Sequence, residues 1–108
     1  MKKTENKLKT EGKRMRNFKE KDIVSHFKRD MLSDDELKRE PNRYLYEIIC
    51  FAKDSESLND VVVYRALYGE KTAFVRPFHE FFLKTDKEKY PNAAQQYRFE
   101  IFKKSIDK

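Results

Sequence analysis

Two arginines, Arg65 and Arg76, stand in VVVYRALYGEKTAFVRP, Val61 to Pro77, the most apolar stretch of a very polar chain. A guanidinium is a planar fork of donors that matches phosphate and carboxylate oxygens. Beside Tyr64, Tyr68 and Phe74 the pair could therefore form an anion clamp, with rings available to stack on the ligand. His26 and Arg98 are further candidates for the same binding surface. A structural role competes with this reading, because an arginine on an apolar face costs stability unless an acceptor compensates it. Arg65 could reach Glu47 on a preceding strand, and Arg76 could bind backbone carbonyls or Glu100.

Catalytic constellations are scarce. Cys50 is the only cysteine, and on the apolar side of a strand it reads as a small buried hydrophobe rather than a nucleophile. His26 and His79 have no metal-ligand spacing with each other or with Cys50, and four convergent zinc ligands cannot be assembled. Glu80 beside His79 is a local pair without an evident nucleophile. No catalytic residue, metal or cofactor is assigned on these grounds.

The elements that must position the arginines come from one small domain, since 108 residues leave no room for a second core. Charged residues make up 41% and mean hydropathy is -0.99. Nine Phe and six Tyr nevertheless require a packed interior. The formal charge of +6 is unevenly distributed, because residues 1–22 hold nine Lys or Arg against four acids while the rest is nearly neutral. Residues 1–21 therefore read as a basic, flexible leader and residues 22–104 as a single folded domain. The leader could seek phosphate or merely solubilise; its interspersed acids favour the latter. It lacks the apolar run of a secretion signal, and no stretch is long and apolar enough to span a membrane. With a lone cysteine, these features predict a cytoplasmic protein.

Short alternating segments predict a mainly β fold with short helical turns. IVSHFK (Ile23 to Lys28) reads as a first strand. Ser33 and Glu36 have capping-box spacing, which predicts a turn or two of helix before Pro41. In YLYEIICFAK the alternation places Tyr46, Ile48, Cys50 and Ala52 on one face of a second strand and Glu47, Ile49, Phe51 and Lys53 on the other. VVVYRALY and TAFVR form a hairpin about Gly69, the only glycine after the leader. A two-residue loop of Gly69 and Glu70 would pair Ala66 with Ala73, Tyr64 with Val75 and Val63 with Arg76. Val62, Tyr64, Ala66, Ala73 and Val75 then face the core, and Arg65 and Arg76 become diagonal neighbours with Phe74 on the opposite face. A three-residue loop would change this parity. PFHEFFL reads as a bent plug over an open barrel end, Thr85 to Glu88 as a second capping box, Asn92 and Gln95 as the start of one more helical turn, and Tyr97 to Phe102 as a closing strand. The predicted architecture is a small, strongly bent β-roll or barrel.

His26-Phe27-Lys28, the strand Tyr46 to Ala52, Ser55-Glu56-Ser57, Val63-Tyr64-Arg65-Ala66-Leu67-Tyr68-Gly69 and Val75-Arg76-Pro77 together resemble a bacterial family designated domain of unknown function 1653. The likeness runs from about Asp22 to Phe102 and implies an SH3-like β-roll with no established activity. Many members reach the second strand soon after His-Phe-Lys, whereas here Arg29 to Arg43 intervene. Asp54 stands where a His is common and Phe74 where a Trp is common. The expected function is that of a non-enzymatic binding module. A peptide or protein partner ranks marginally first, because aromatic SH3-like grooves suit extended peptides. Nucleic acid or a small phosphorylated ligand comes next, through the leader and Arg65, Arg76 and Arg98; an enzyme is third. The oligomeric state is left open.

Overall fold

The computed structural model describes residues 18–105. The expected leader lies, over residues 1–17, outside the described residues. Five strands, β1 (Ile23–His26), β2 (Leu45–Lys53), β3 (Asp60–Ala66), β4 (Ala73–Pro77) and β5 (Phe99–Lys103), form one antiparallel sheet in the order β4-β3-β2-β1-β5. Two short helices, α1 (Asp34–Arg39) and α2 (Phe78–Phe81), and a 3-10 turn over Phe27–Met31 complete the described elements. The protein is mainly β, as the alternation predicted.

The sheet is rolled without closing. At a strand spacing of about 4.8 Å, β3 and β5 would stand roughly 14 Å apart in a flat sheet. The rings of Tyr64 on β3 and Phe99 on β5 are only 5.5 Å apart between centroids. Arg76, on the far edge strand, lies 5.9 Å over the same Phe99 ring. Inside the curl sit Val24, Tyr46, Ile48, Val62, Tyr64, Ala66, Phe81 and Phe99. α2 is the expected plug: Phe81 is fully buried and stacks on Phe99 at 4.3 Å with the planes 4° apart. Phe18 packs against Phe81 and Phe82 at 6.0 and 5.2 Å.

The strand ends are closed by the buried carboxylate of Asp22. It accepts the Lys19 N–H at 2.8 Å, the Ser105 N–H at 2.7 Å and the Lys104 ammonium at 3.0 Å. Burial alone would push its pKa up, but these donors outweigh burial and hold it below the usual carboxylate value. The two ends of the described chain are thereby tied together at the pole of the roll opposite His26.

Three local predictions are corrected. First, β3 and β4 pair Tyr64 with Phe74, Val63 with Val75 and Val62 with Arg76, one residue away from the predicted register. The hairpin is wider than two residues because both Gly69 (φ 61°) and Lys71 (φ 59°) adopt left-handed backbone, with the Ala66 N–H donating to the Thr72 carbonyl. Because side chains alternate with period 2, this slip exchanges the faces of β4. Phe74 and Arg76 join Tyr64 on the concave face, while Val75, 64% exposed, turns outward. Second, β2 carries a bulge at Ile49, so that Ile48 faces Tyr64 but Cys50 faces Val63. Phe51 therefore shares the face of Val62, and Cys50, half-buried, lies on the other face rather than the core side. Third, Thr85 does not cap a helix. Asp86 instead accepts the N–H groups of Glu88 and Lys89 in a turn, the Thr85 hydroxyl is buried without a partner, and the segment after Pro91 is irregular.

The first capping box forms as read, with Ser33 accepting the Glu36 N–H at 3.1 Å and Glu36 accepting the Ser33 N–H at 2.8 Å. Arg29 closes the inserted segment on itself, its guanidinium donating to the carbonyls of Pro41 and Arg43, both at 2.9 Å, while lying 5.3 Å over the Phe102 ring of β5. Asp30 reaches across to accept the Ala94 and Gln95 N–H groups at 3.0 and 2.9 Å.

Candidate functional site

The concave face opens at the His26 end of β1 into two adjoining hollows of about 280 and 180 Å³. Both are lined by His26, Lys28 and Arg76. The larger continues to Asp86, Lys89, Tyr90 and Arg98, and the smaller to Tyr44, Tyr46, Tyr64, Phe74 and Phe99. One end is thus cationic and the other aromatic.

Arg76 is held where the two meet. Its Nε donates to the Tyr64 hydroxyl at 3.1 Å, and its plane lies over Phe99. Apart from Glu80 at 3.9 Å, no described residue pairs with its Nη groups, which leaves most of its donors for an incoming acceptor. The orientation comes from rigid rings rather than from a second arginine, so less side-chain freedom remains to be lost on binding.

His26 sits against Phe27, Tyr44 and Phe99, with ring centroids 4.4, 6.0 and 5.0 Å away. Its Nδ1 accepts the Lys28 N–H at 3.1 Å, capping the 3-10 turn. Burial, and then the charges of Lys28, Arg76 and Arg98, lower its pKa to about 4. The ring is therefore neutral at physiological pH, and with Nδ1 engaged as an acceptor its proton resides on Nε2. Tyr46 is also held neutral: burial, followed by its 2.8 Å hydrogen bond to the Tyr68 hydroxyl, pushes its pKa well up.

Tyr44 enters β2 with φ 65°, a conformation that an aromatic residue adopts at a cost of order 1–3 kcal/mol. The strained backbone sets its ring between His26 at 6.0 Å and Tyr68 at 5.7 Å. Arg43 covers this corner, 5.1 Å over Tyr44 and 5.9 Å over Tyr68.

Of the residues singled out in the sequence, His26, Tyr64, Phe74, Arg76 and Arg98 are brought together around the two hollows. Tyr68 supports the aromatic wall from behind Tyr44 and Tyr46. Arg65 is not part of the site. It stands opposite Glu47 on the other face of the sheet, exposed, and donates to the Lys71 carbonyl at 3.1 Å. The expected Arg65–Arg76 pairing fails for the same reason as the hairpin register. Sequence reading missed Lys28, Tyr44, Lys89 and Tyr90. Lys28 was within reach, as part of His26-Phe27-Lys28, whereas Lys89 and Tyr90 arrive from an irregular loop with no periodic signal.

Among the described residues, no group of three or more His, Cys, Asp or Glu could hold a metal ion, and no helix is long and apolar enough to cross a membrane. No curated protein and no solved structure matches the chain. A family model described as "Protein of unknown function (DUF1653)" does match, over residues 22–101. That span runs from the buried Asp22 through the whole rolled sheet into β5, and includes both hollows. On this evidence the chain belongs to the DUF1653 family.

Proposed function

We propose that the concave face binds an anionic ligand that also carries a planar group, a nucleotide being the simplest chemistry that satisfies both ends. One observation carries this reading: Arg76 is fixed by Tyr64 and Phe99 at the junction between a cationic hollow and an aromatic one. A phosphate placed among Lys28, Arg76, Lys89 and Arg98 meets four cations against the carboxylates of Asp86 and of Glu80, the latter 3.9 Å from Arg76. A base placed beside Phe74 and Tyr44 meets ring faces and the Nε2–H of a neutral His26. The near-neutral balance of the folded part had favoured a peptide partner. The four cations gathered at one hollow support the anionic ligand ahead of a peptide. Positive charge also disfavours a methylated-ammonium ligand, the usual occupant of an aromatic cage.

A binding role suits a site whose His26 already uses Nδ1 to accept the Lys28 N–H. An aqueous intracellular setting, where nucleotides are abundant, suits this reading.

The test is calorimetric titration of the full chain with adenosine 5′-monophosphate, adenosine and inorganic phosphate, repeated with Arg76→Ala. Binding of the nucleotide more tightly than either fragment, weakened about tenfold or more by the substitution, is the expected outcome. Equal affinity for nucleotide and phosphate, or no effect of Arg76→Ala, would remove the proposal.

A further inference from the structure

The aromatic surface is longer than one nucleotide can use. From Tyr68 the rings run to Tyr44 at 5.7 Å, to His26 at 6.0 Å, to Phe27 at 4.4 Å and to Tyr90 at 4.7 Å. Phe27 is buried and forms the floor of this row, while the other four rings are part-exposed. A cation accompanies the row at each stage. Arg43 lies over Tyr44 and Tyr68 at one end, Lys28 and Arg76 line the middle, and the Lys89 ammonium lies 5.6 Å over Tyr90 at the other. Rings flanked by cations at successive positions match a polymer that repeats a planar base and a phosphate at a similar interval. A mononucleotide seated in the two hollows would not reach Arg43 and Tyr68, which line neither.

We infer that the ligand is a single strand of nucleic acid, laid along the row from Tyr68 to Tyr90 with a phosphate at Arg76. This rests on the nucleotide reading above and extends it. Duplex is disfavoured because its bases are stacked on one another and offer no faces to Tyr44 or Tyr90. The hollows are also shallow and concave, whereas a duplex of uniform charge needs only an extended basic surface. The segment Arg29 to Arg43, which lies between β1 and β2, gains a purpose here, since it carries Arg43 and is closed by Arg29, which also lies over Phe102 of β5.

The experiment measures anisotropy of labelled oligo(dT) and oligo(U) of one, two, four and eight nucleotides with the full chain. Wild type is compared with Arg76→Ala and with Arg43→Ala; the Arg43 guanidinium lies over Tyr44 and Tyr68 at one end of the row and lines neither hollow. In either series, affinity is expected to rise by about tenfold or more from one to four nucleotides and then level off. Arg43→Ala should lose most of that gain while binding the mononucleotide as wild type does, and Arg76→Ala should weaken every length. Because the basic N-terminal segment is present in all three proteins, its contribution cancels in the comparison. Length-independent affinity that Arg76→Ala still reduces would overturn the strand and leave the nucleotide reading standing; absence of binding at every length would remove both. Equal affinity for a duplex of the same length would also overturn the strand, by showing charge attraction alone.

Discussion

Arg65 and Arg76 are eleven positions apart in one hairpin and look equivalent in the sequence, yet their environments separate them completely. Arg76 is anchored through Nε to Tyr64 and faces the concave hollows, whereas Arg65 is exposed on the far side and satisfied by the Lys71 carbonyl. Arg65→Ala should therefore leave nucleotide affinity unchanged and shift stability by no more than about 0.5 kcal/mol, as surface substitutions usually do. A binding titration and a thermal melt check both halves, and lost affinity would show that the convex face takes part. His26 supplies the second residue-level expectation. Its folded pKa is about 4 against an ordinary 6.5. Above that ordinary value both folded and unfolded forms are neutral, so the residue adds no pH dependence. As pH falls toward about 4 the unfolded chain takes up a proton that the folded chain refuses, and stability drops by up to ~1.4 kcal/mol per pH unit. His26→Asn keeps an acceptor for the Lys28 N–H but cannot titrate, so denaturant melts between pH 4 and 6.5 should lose that slope. The carboxylate of Asp22, whose pKa is lowered, is expected to add acid sensitivity only at lower pH still.

At the scale of elements, the strands were legible because apolar and polar residues alternate along them. The register between them was not, because it depends on single backbone conformations. Nothing in the letters of Tyr68 to Thr72 announces that Lys71 adopts φ 59°, yet together with Gly69 that torsion widens the loop, and Phe74 and Arg76 face inward. The bulge at Ile49 is of the same kind: an unbroken alternation reads straight through it, and it reverses the faces of Cys50 and Phe51. The site inherits this pattern of success and failure. Tyr64 sits on the face where alternation puts it, whereas Arg65 was drawn in by a register one residue off. The loop conformation has a measurable signature. Lys71→Gly relieves a left-handed residue of its Cβ and should stabilise by up to about 1 kcal/mol. Gly69→Ala should cost about as much, for backbone reasons alone, since a Cβ there would meet nothing within 4 Å. Melts of the two variants moving in opposite directions check the assignment. A stabilising Gly69→Ala would mean that the turn is built differently.

For the whole molecule, the consequence of rolling the sheet is that its two edge strands supply opposite walls of one site. Arg76 from β4 and Phe99 from β5 meet across the curl although three strands separate them in hydrogen-bonding order. The plug sets how far the curl closes. Phe81 stacks face to face on Phe99 at 4.3 Å, and Phe99 in turn carries Arg76 above it. Stability and binding should therefore be coupled through a residue that touches no ligand. Phe81→Ala would remove a fully buried ring at a cost of about 3–5 kcal/mol, which rivals the whole stability of a small domain. Phe81→Leu is the informative change, because it keeps an apolar group of moderate size while removing the flat surface against which Phe99 lies. It should cost roughly 1–3 kcal/mol and leave the protein folded at room temperature. It should also weaken mononucleotide binding several-fold, with the Phe99 ring no longer fixed beneath Arg76. A thermal melt and a titration well below the melting temperature separate the two effects. Reduced stability with unaltered affinity would mean that the plug only fills the core, and that Tyr64 alone suffices to aim Arg76.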